Sequence, residues 1–262
     1  MLIGIALGLF VGLIMGLTGA GGGILAIPAL MYGMSVALTD ARPIALIAVG
    51  LAALVGSFHG LRLKLLRYRA ALVLALAGGL VVPFGMALGH QLSPVVLHSL
   101  FAAVMVIVGV RMLFSGKELS LEKNNLVGVV CAIAPDSGRF IWTPKTFFVM
   151  VAIGLVAGFF TGLLGVGGGF IVVPALLAVS PLSFNSAVAT SLMVVALNSL
   201  VAVGLALQDG VALTIPIELF ILCTVSGLFI GRILGKWIPA QWVRYGFSAL
   251  CFSIAIVMSV QL

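Results

Sequence analysis

Charge is what this sequence has least of. Lys and Arg number 13 and Asp and Glu number 6 among 262 residues, 7% in all, where an ordinary soluble domain carries roughly 25%. That shortage excludes a water-soluble globule. Cysteine is scarce too. Cys131, Cys223 and Cys251 are odd in number, and no CxxC or Cys/His spacing joins them, which argues against a disulfide framework or a metal site and leaves them as small apolar packing groups. The chain has no HExxH, no paired carboxylates and no Ser/His/Asp set, so a membrane-embedded enzyme is disfavoured. Neither of its glycine clusters is followed by Lys-Ser/Thr. It therefore has no nucleotide phosphate loop, calls for no cofactor, and must draw energy from a gradient or a partner.

What the chain has instead is apolar length. Hydrophobic residues make up 63%, mean hydropathy is +1.37, and several apolar runs reach the ~20 residues that cross a hydrocarbon core of ~30 Å. The net charge of +7 does not point to nucleic acid, because the basic residues sit in short loops between apolar spans, as the positive-inside rule requires of a membrane protein. No Lys or Arg precedes the first run, Leu2 to Leu17, which ends in glycines rather than a cleavage site; it reads as a retained helix.

The chain repeats itself. GLTGAGGGILAIPAL at Gly16 to Leu30 returns as GLLGVGGGFIVVPAL at Gly162 to Leu176, an offset of 146 residues from Pro28 to Pro174 that holds without a gap through Gly85 and Gly89 to Gly231 and Gly235. This divides the chain into a first transmembrane repeat (1–115), a cytoplasmic linker (116–146) and a second repeat (147–262). The linker's apolar piece, Leu126 to Ala134, is too short to cross. Helices are predicted at 2–17, 25–34, 41–61, 69–90 and 95–114, then at 148–163, 171–180, 187–207, 211–235 and 240–260, with Thr39-Asp40 and Asn185-Ser186 as caps of the spans at 41 and 187.

Charge then orients the halves. Arg62, Lys64, Arg67 and Arg69 place the 62–69 loop in the cytoplasm, while its counterpart, Gln208-Asp209-Gly210, carries no cation; His90 to Pro94 carries none either, whereas its counterpart is flanked by Arg232, Lys236 and Arg244. The repeats are therefore expected to be inverted. Each must cross an odd number of times, so the helix, glycine break and short helix that open each repeat must form a hairpin returning to its own side. The expected fold is an all-α polytopic membrane protein: two inverted repeats, each a Gly-broken helical hairpin plus three transmembrane helices, 8 to 10 membrane segments in total, depending on whether the hairpins cross fully.

Irregular backbone inside a membrane needs protein or a wet cavity to satisfy it. Gly19, Gly21, Gly22 and Gly23, with Gly165, Gly167, Gly168 and Gly169, are read as such backbone at depth, each break preceding a short helix with Pro28 or Pro174 near its first turn. Free amides and positive helix ends then favour an anion, which makes Gly21, Gly22, Gly23, Gly167, Gly168 and Gly169 candidate substrate ligands. Gly4, Gly8, Gly12, Gly16, Gly154, Gly158 and Gly162 have the four-residue spacing of close helix packing. Thr190, Ser191 and Asn198 are polar within a span and have two readings, ligands to oxyanion oxygens or interhelical hydrogen bonds. Glu218, read as a carboxylate well inside a span, is the candidate proton carrier, with a structural role or a solvated crevice as the alternative. His59 and His98 read as core histidines, and Arg42 as a partner of Asp40 or an anion attractor at the outer mouth.

The duplicated GLxGxGGGxxxxPAL motif resembles the sulfite exporter TauE/SafE family, also called the toluene sulfonate uptake permease family, over both repeats. The resemblance implies a plasma-membrane secondary transporter of small sulfur-containing anions of the sulfite, sulfonate or sulfoacetate type, often an exporter. The family's Thr-Ser pair after the motif is matched by Thr190-Ser191 but replaced by Ile44-Ala45 in the first repeat, which weakens the expectation of a symmetric site. The expected partners are a small anion, the lipid bilayer and a coupling proton. An anion channel, or an uptake permease for other organic anions, is the alternative.

Overall fold

The structure, a computed structural model, describes residues 2–19, 21–121, 131–133, 140–206, 215–235 and 237–260. Its elements are α1 (Leu2–Thr18), α2 (Gly21–Pro28), a π-helical turn (Ala29–Gly33), α3 (Leu38–Arg62), α4 (Tyr68–Gln91), α5 (Pro94–Leu121), α6 (Pro144–Leu164), α7 (Gly169–Val179), α8 (Phe184–Ala206), α9 (Ile215–Leu234) and α10 (Ala240–Val260). Five of these, α3, α4, α6, α8 and α9, are long and apolar enough to cross a membrane, and shorter apolar helices accompany them. The chain is an all-α multi-pass membrane protein. The Gln208-Asp209-Gly210 loop and most of the Leu126–Ala134 piece lie outside the described residues.

Close approach at glycine sets the direction of each packed pair. Along α1, Gly4, Gly8, Gly12 and Gly16 lie in order against Pro216, Phe220, Thr224 and Leu228 of α9, so these two helices run parallel. Gly154, Gly158 and Gly162 of α6 lie in the same way against Leu74, Gly78 and Val82 of α4. At Gly158 an added Cβ would meet the backbone of Gly78 itself; the contact admits no side chain. In α3, by contrast, Gly50, Gly56 and Gly60 meet Ser199, Leu192 and Ala189 of α8, a descending order that makes the central pair antiparallel. Residues 146 apart thus play matching parts: α1 is to α9 as α6 is to α4, and α3 is to α8 as α8 is to α3.

Among the described residues three buried clusters fill the interior, the largest around α1, α2, α3, α5, α8, α9 and α10, a second around α4, α6, α7 and α8, and a small third of Leu46, Val82 and Ala202 between α3, α4 and α8. Large apolar side chains also line the perimeter: Leu72, Leu76, Leu80 and Phe84 of α4 and Leu222, Ile230 and Ile233 of α9 are exposed. In a bilayer such a stripe faces lipid.

The helix ends depart from expectation in specific ways. Leu38 opens α3 behind Ala37, which makes no side-chain cap, so Asp40 stands in the first turn rather than as a cap. Ahead of Asn185-Ser186, Ser183 Oγ accepts from the Ser186 N–H. The residue before the helix does the capping, because only there does a short side chain reach back to the free amides. Thr143 caps α6 in this way, accepting from Thr146 N–H at 3.2 Å ahead of Pro144. In the linker, Cys131 N–H donates to Val179 O at 3.0 Å and pins the segment to the end of α7; burial pushes the Cys131 thiol above its ordinary range, opposed by a hydrogen bond with Thr146.

The two glycine motifs do not break alike. In the second, Gly165, Gly167 and Gly168 all have positive φ (74°, 81° and 67°), and α7 begins at Gly169. In the first, Gly19 turns at φ 77°, but Gly21, Gly22 and Gly23 are helical and form the first turn of α2. The expectation of irregular backbone at those three, and at Gly169, is thereby corrected: one left-handed residue follows α1, and α2 is already wound at Gly21. Pro28 and Pro174 are also later than expected, the eighth residue of α2 and the sixth of α7. Pro28 lacks the N–H that would continue the ladder, and the next five residues widen to a π-helix.

Candidate functional site

Both breaks come to the middle of the molecule. Gly23 lies against the Val166 carbonyl, which brings the start of α2 to the second break, and a Cβ on Gly167 would meet Val195 Cγ1 at 3.0 Å, Val49 Cγ1 at 3.4 Å and Ser199 Oγ at 3.5 Å. Val49 and Val195 are halfway along α3 and α8. The N-terminal turns of α2 and α7, whose first amides have no intrahelical acceptor, therefore lie at the mid-length of the central antiparallel pair. Gly21, Gly22 and Gly23 occupy one such turn, Gly169 opens the other, and Gly167 and Gly168 make the approach to it.

Of the polar residues singled out on α8, Ser191 joins this centre. Its hydroxyl donates to Val188 O at 2.9 Å and to Gly19 O at 3.3 Å, tying the first break to α8. Thr190 is committed elsewhere: it donates to Ser186 O at 2.7 Å and accepts from the Arg67 N–H at 3.2 Å, holding the start of α4. Asn198 is fully buried, and neither atom of its amide has a partner; it faces Gly78 of α4 near the Gly154 carbonyl of α6. Glu218 stands in the first turn of α9 and is exposed on the perimeter, apart from the centre.

Ser199 is the residue that reading the sequence missed. It is 1% exposed, its hydroxyl has no partner, and it faces both Gly50 and Gly167. The signal was there: Ser191, Val195 and Ser199 are spaced by four and share one face of α8, the face turned to the breaks. The matching stripe on α3 is Ala45, Val49 and Ala53, so the hydroxyls come from α8 alone. An oxyanion at Gly167 would find backbone amides, a hydroxyl without a partner and two positive helix ends, with the Val166 carbonyl as a neighbour.

A cavity of about 330 Å³ approaches the first break, lined by Gly16, His59, Asn185, Val188 and Arg232 among others. Val188 lies two turns short of Val195, and Gly167 is not among the lining residues. His59 also packs edge-on to Phe229. Among the described residues no three of His, Cys, Asp and Glu gather as metal ligands, and the three cysteines are unpaired.

Long apolar helices, close-packed glycine seams and two short helices opening at glycine breaks define a polytopic membrane protein. The chain belongs to the Sulfite exporter TauE/SafE family, whose pattern matches residues 4–258. It is 30% identical over 251 residues to probable membrane transporter proteins of two strains of Xylella fastidiosa, covering 92% of this chain and 87% of theirs. It is 28% identical over 205 residues to the probable membrane transporter protein YunE of Bacillus subtilis, covering 75% and 74%. No solved structure matches.

Proposed function

We propose that the chain is a secondary transporter of a small sulfur-containing anion of the sulfite, sulfonate or sulfoacetate type, working by alternating access around the centre between α2, α3, α7 and α8. The observation that carries the reading is Ser199, a buried hydroxyl without a partner beside Gly167. An unsatisfied buried donor costs about 1–3 kcal/mol, a cost that a bound oxyanion removes. Two inverted repeats are part of the proposal. The antiparallel α3 and α8 and the parallel α1 and α9 support it, since a two-fold that exchanges antiparallel partners lies across the helices, in the membrane plane.

Export is proposed as the net direction and a proton as the exchanged ion, with Glu218 as its carrier. Counterflow tests the carrier reading. Proteoliposomes preloaded with unlabelled sulfite are expected to accumulate labelled sulfite transiently; simple equilibration without overshoot would identify a channel instead. Running sulfite, thiosulfate, sulfoacetate, taurine and sulfur-free carboxylates in parallel identifies the substrate class. Transport of the Glu218→Gln variant is expected to lose its response to an imposed pH gradient, and a retained response would remove Glu218 from the mechanism.

A further inference from the structure

Among the described residues three arginines, Arg42, Arg67 and Arg232, carry buried nitrogens without a hydrogen-bond partner; Arg67 stands at the start of α4, and the other two each stand beside one helix break. Nε and Nη2 of Arg42 are buried without a hydrogen-bond partner. Its Cβ and Cγ lie 3.0 and 3.1 Å from where a Cβ on Gly165 would stand, and its Nη1 3.4 Å from the same position on Gly89. Asp40 is exposed two residues away and does not partner these nitrogens. Arg232 likewise has a buried, unpartnered Nε; its Nη2 donates to Gly56 O at 3.4 Å. It lines the 330 Å³ cavity together with His59 and Asn185, at the end of α9 that packs against Gly56 and Gly60 near the basic 62–69 loop.

The internal repeat relates these two surroundings. The 146-residue offset takes Gly165 to Gly19, Arg42 to Val188 and Met86 to Arg232. Gly19 packs on Val188 as Gly165 packs on Arg42, and Gly16 meets the Arg232 backbone N at 2.9 Å as Gly162 meets that of Met86. Each break is thus flanked by the same two positions, filled by Arg42 and Met86 on one side and by Val188 and Arg232 on the other. One arginine stands on each flank, supplied from a different helix each time.

Neither Arg42 nor Arg232, both half-buried, is given a counter-charge by the described residues, and their buried guanidinium nitrogens are costly without one. A mobile oxyanion supplies it, and the planar fork of arginine suits such a head group. We infer that Arg42 and Arg232 are two anion half-sites, one on each side of the membrane, which receive the oxyanion head group and pass it to the central Gly167–Ser199 site. This deepens the proposed transport function and rests on that reading.

The test uses the full-length protein, first without substitution. Phenylglyoxal modifies guanidinium groups, and labelling at Arg42 and Arg232 is read by peptide mass spectrometry with and without millimolar sulfite, sulfoacetate, phosphate or succinate. At least one anion is expected to protect both residues, while Arg62 and Arg69 stay reactive; equal labelling of Arg42 and Arg232 with and without every anion overturns the half-sites. Protection by phosphate or succinate alone keeps the half-sites and overturns the sulfur-anion reading.

Sidedness is then measured with sulfite, or with the protecting anion, in vesicles of both orientations. Arg232→Gln is expected to raise KM about tenfold or more from the cytoplasmic side, the loss of a charge-assisted contact, and Arg42→Gln from the other side. In the double variant V188R/R232M, which places arginine where the outer flank has it, KM is expected to fall back toward the unsubstituted value. Transport with KM within twofold of the unsubstituted protein in both single variants overturns the half-sites and leaves the transporter reading standing.

Discussion

Thr190 and Ser199 lie on the same buried helix and differ in what satisfies them. Thr190 gives and receives a hydrogen bond inside the protein, so Thr190→Val is expected to lower thermal stability by about 1–2 kcal/mol, two ordinary hydrogen bonds, and to leave anion affinity within twofold. Ser199 has no partner to lose. Ser199→Ala is expected to raise the melting temperature of the anion-free protein, because it removes an unsatisfied buried donor, and to weaken anion binding about tenfold, the ~1.5 kcal/mol of a hydrogen bond to a charged group. Melting curves and binding isotherms on the two variants separate the roles; an unchanged affinity in Ser199→Ala would remove that hydroxyl from the site. Gly167, at φ 81°, is a third kind of residue. A side chain there is strained whatever space it finds, so Gly167→Ala is expected to perturb the second break and reduce transport.

At the scale of the element, the glycine motifs serve two purposes that their sequence does not distinguish. Those before each break, such as Gly12 and Gly158, let backbones touch. Gly158→Leu is expected to destabilise by roughly 1–3 kcal/mol or more through overpacking, seen as loss of the monodisperse fraction in detergent. The glycines after each break were legible as a pair of matched clusters, yet only one cluster is irregular. Gly21 to Gly23 wind into helix because a single left-handed residue, Gly19, already turns the chain, and Ser191 holds its carbonyl. Most span limits were legible to within a few residues, since an apolar run and its punctuation are local properties; α8, expected at 187–207, is observed at Phe184–Ala206, but α5, expected to end at 114, runs on to Leu121 into the expected linker.

For the whole molecule, helix direction carries the most weight. Cysteines at Gly60 and Ala189 are expected to crosslink readily, because a Cβ on Gly60 would stand 2.9 Å from that of Ala189, whereas a pair at Gly60 and Ser199 is expected not to. Crosslinking of the second pair alone would reverse the register of α3 on α8. Labelling of single cysteines in the 62–69 and 208–210 loops is expected from opposite sides of the membrane; labelling from one side would end the inverted arrangement.

The sequence alone determined the membrane setting and the internal repeat with its 146-residue register, because hydropathy and self-similarity are written along the chain. Tertiary structure decided which polar groups are spent and which are free. Thr190 meets Arg67 across 123 residues, Ser191 meets Gly19 across 172 and Arg232 meets Gly56 across 176. Whether a buried donor finds an acceptor depends on backbone brought from the other repeat, and that pairing leaves Ser199, Arg42 and Arg232 with donors to offer an anion.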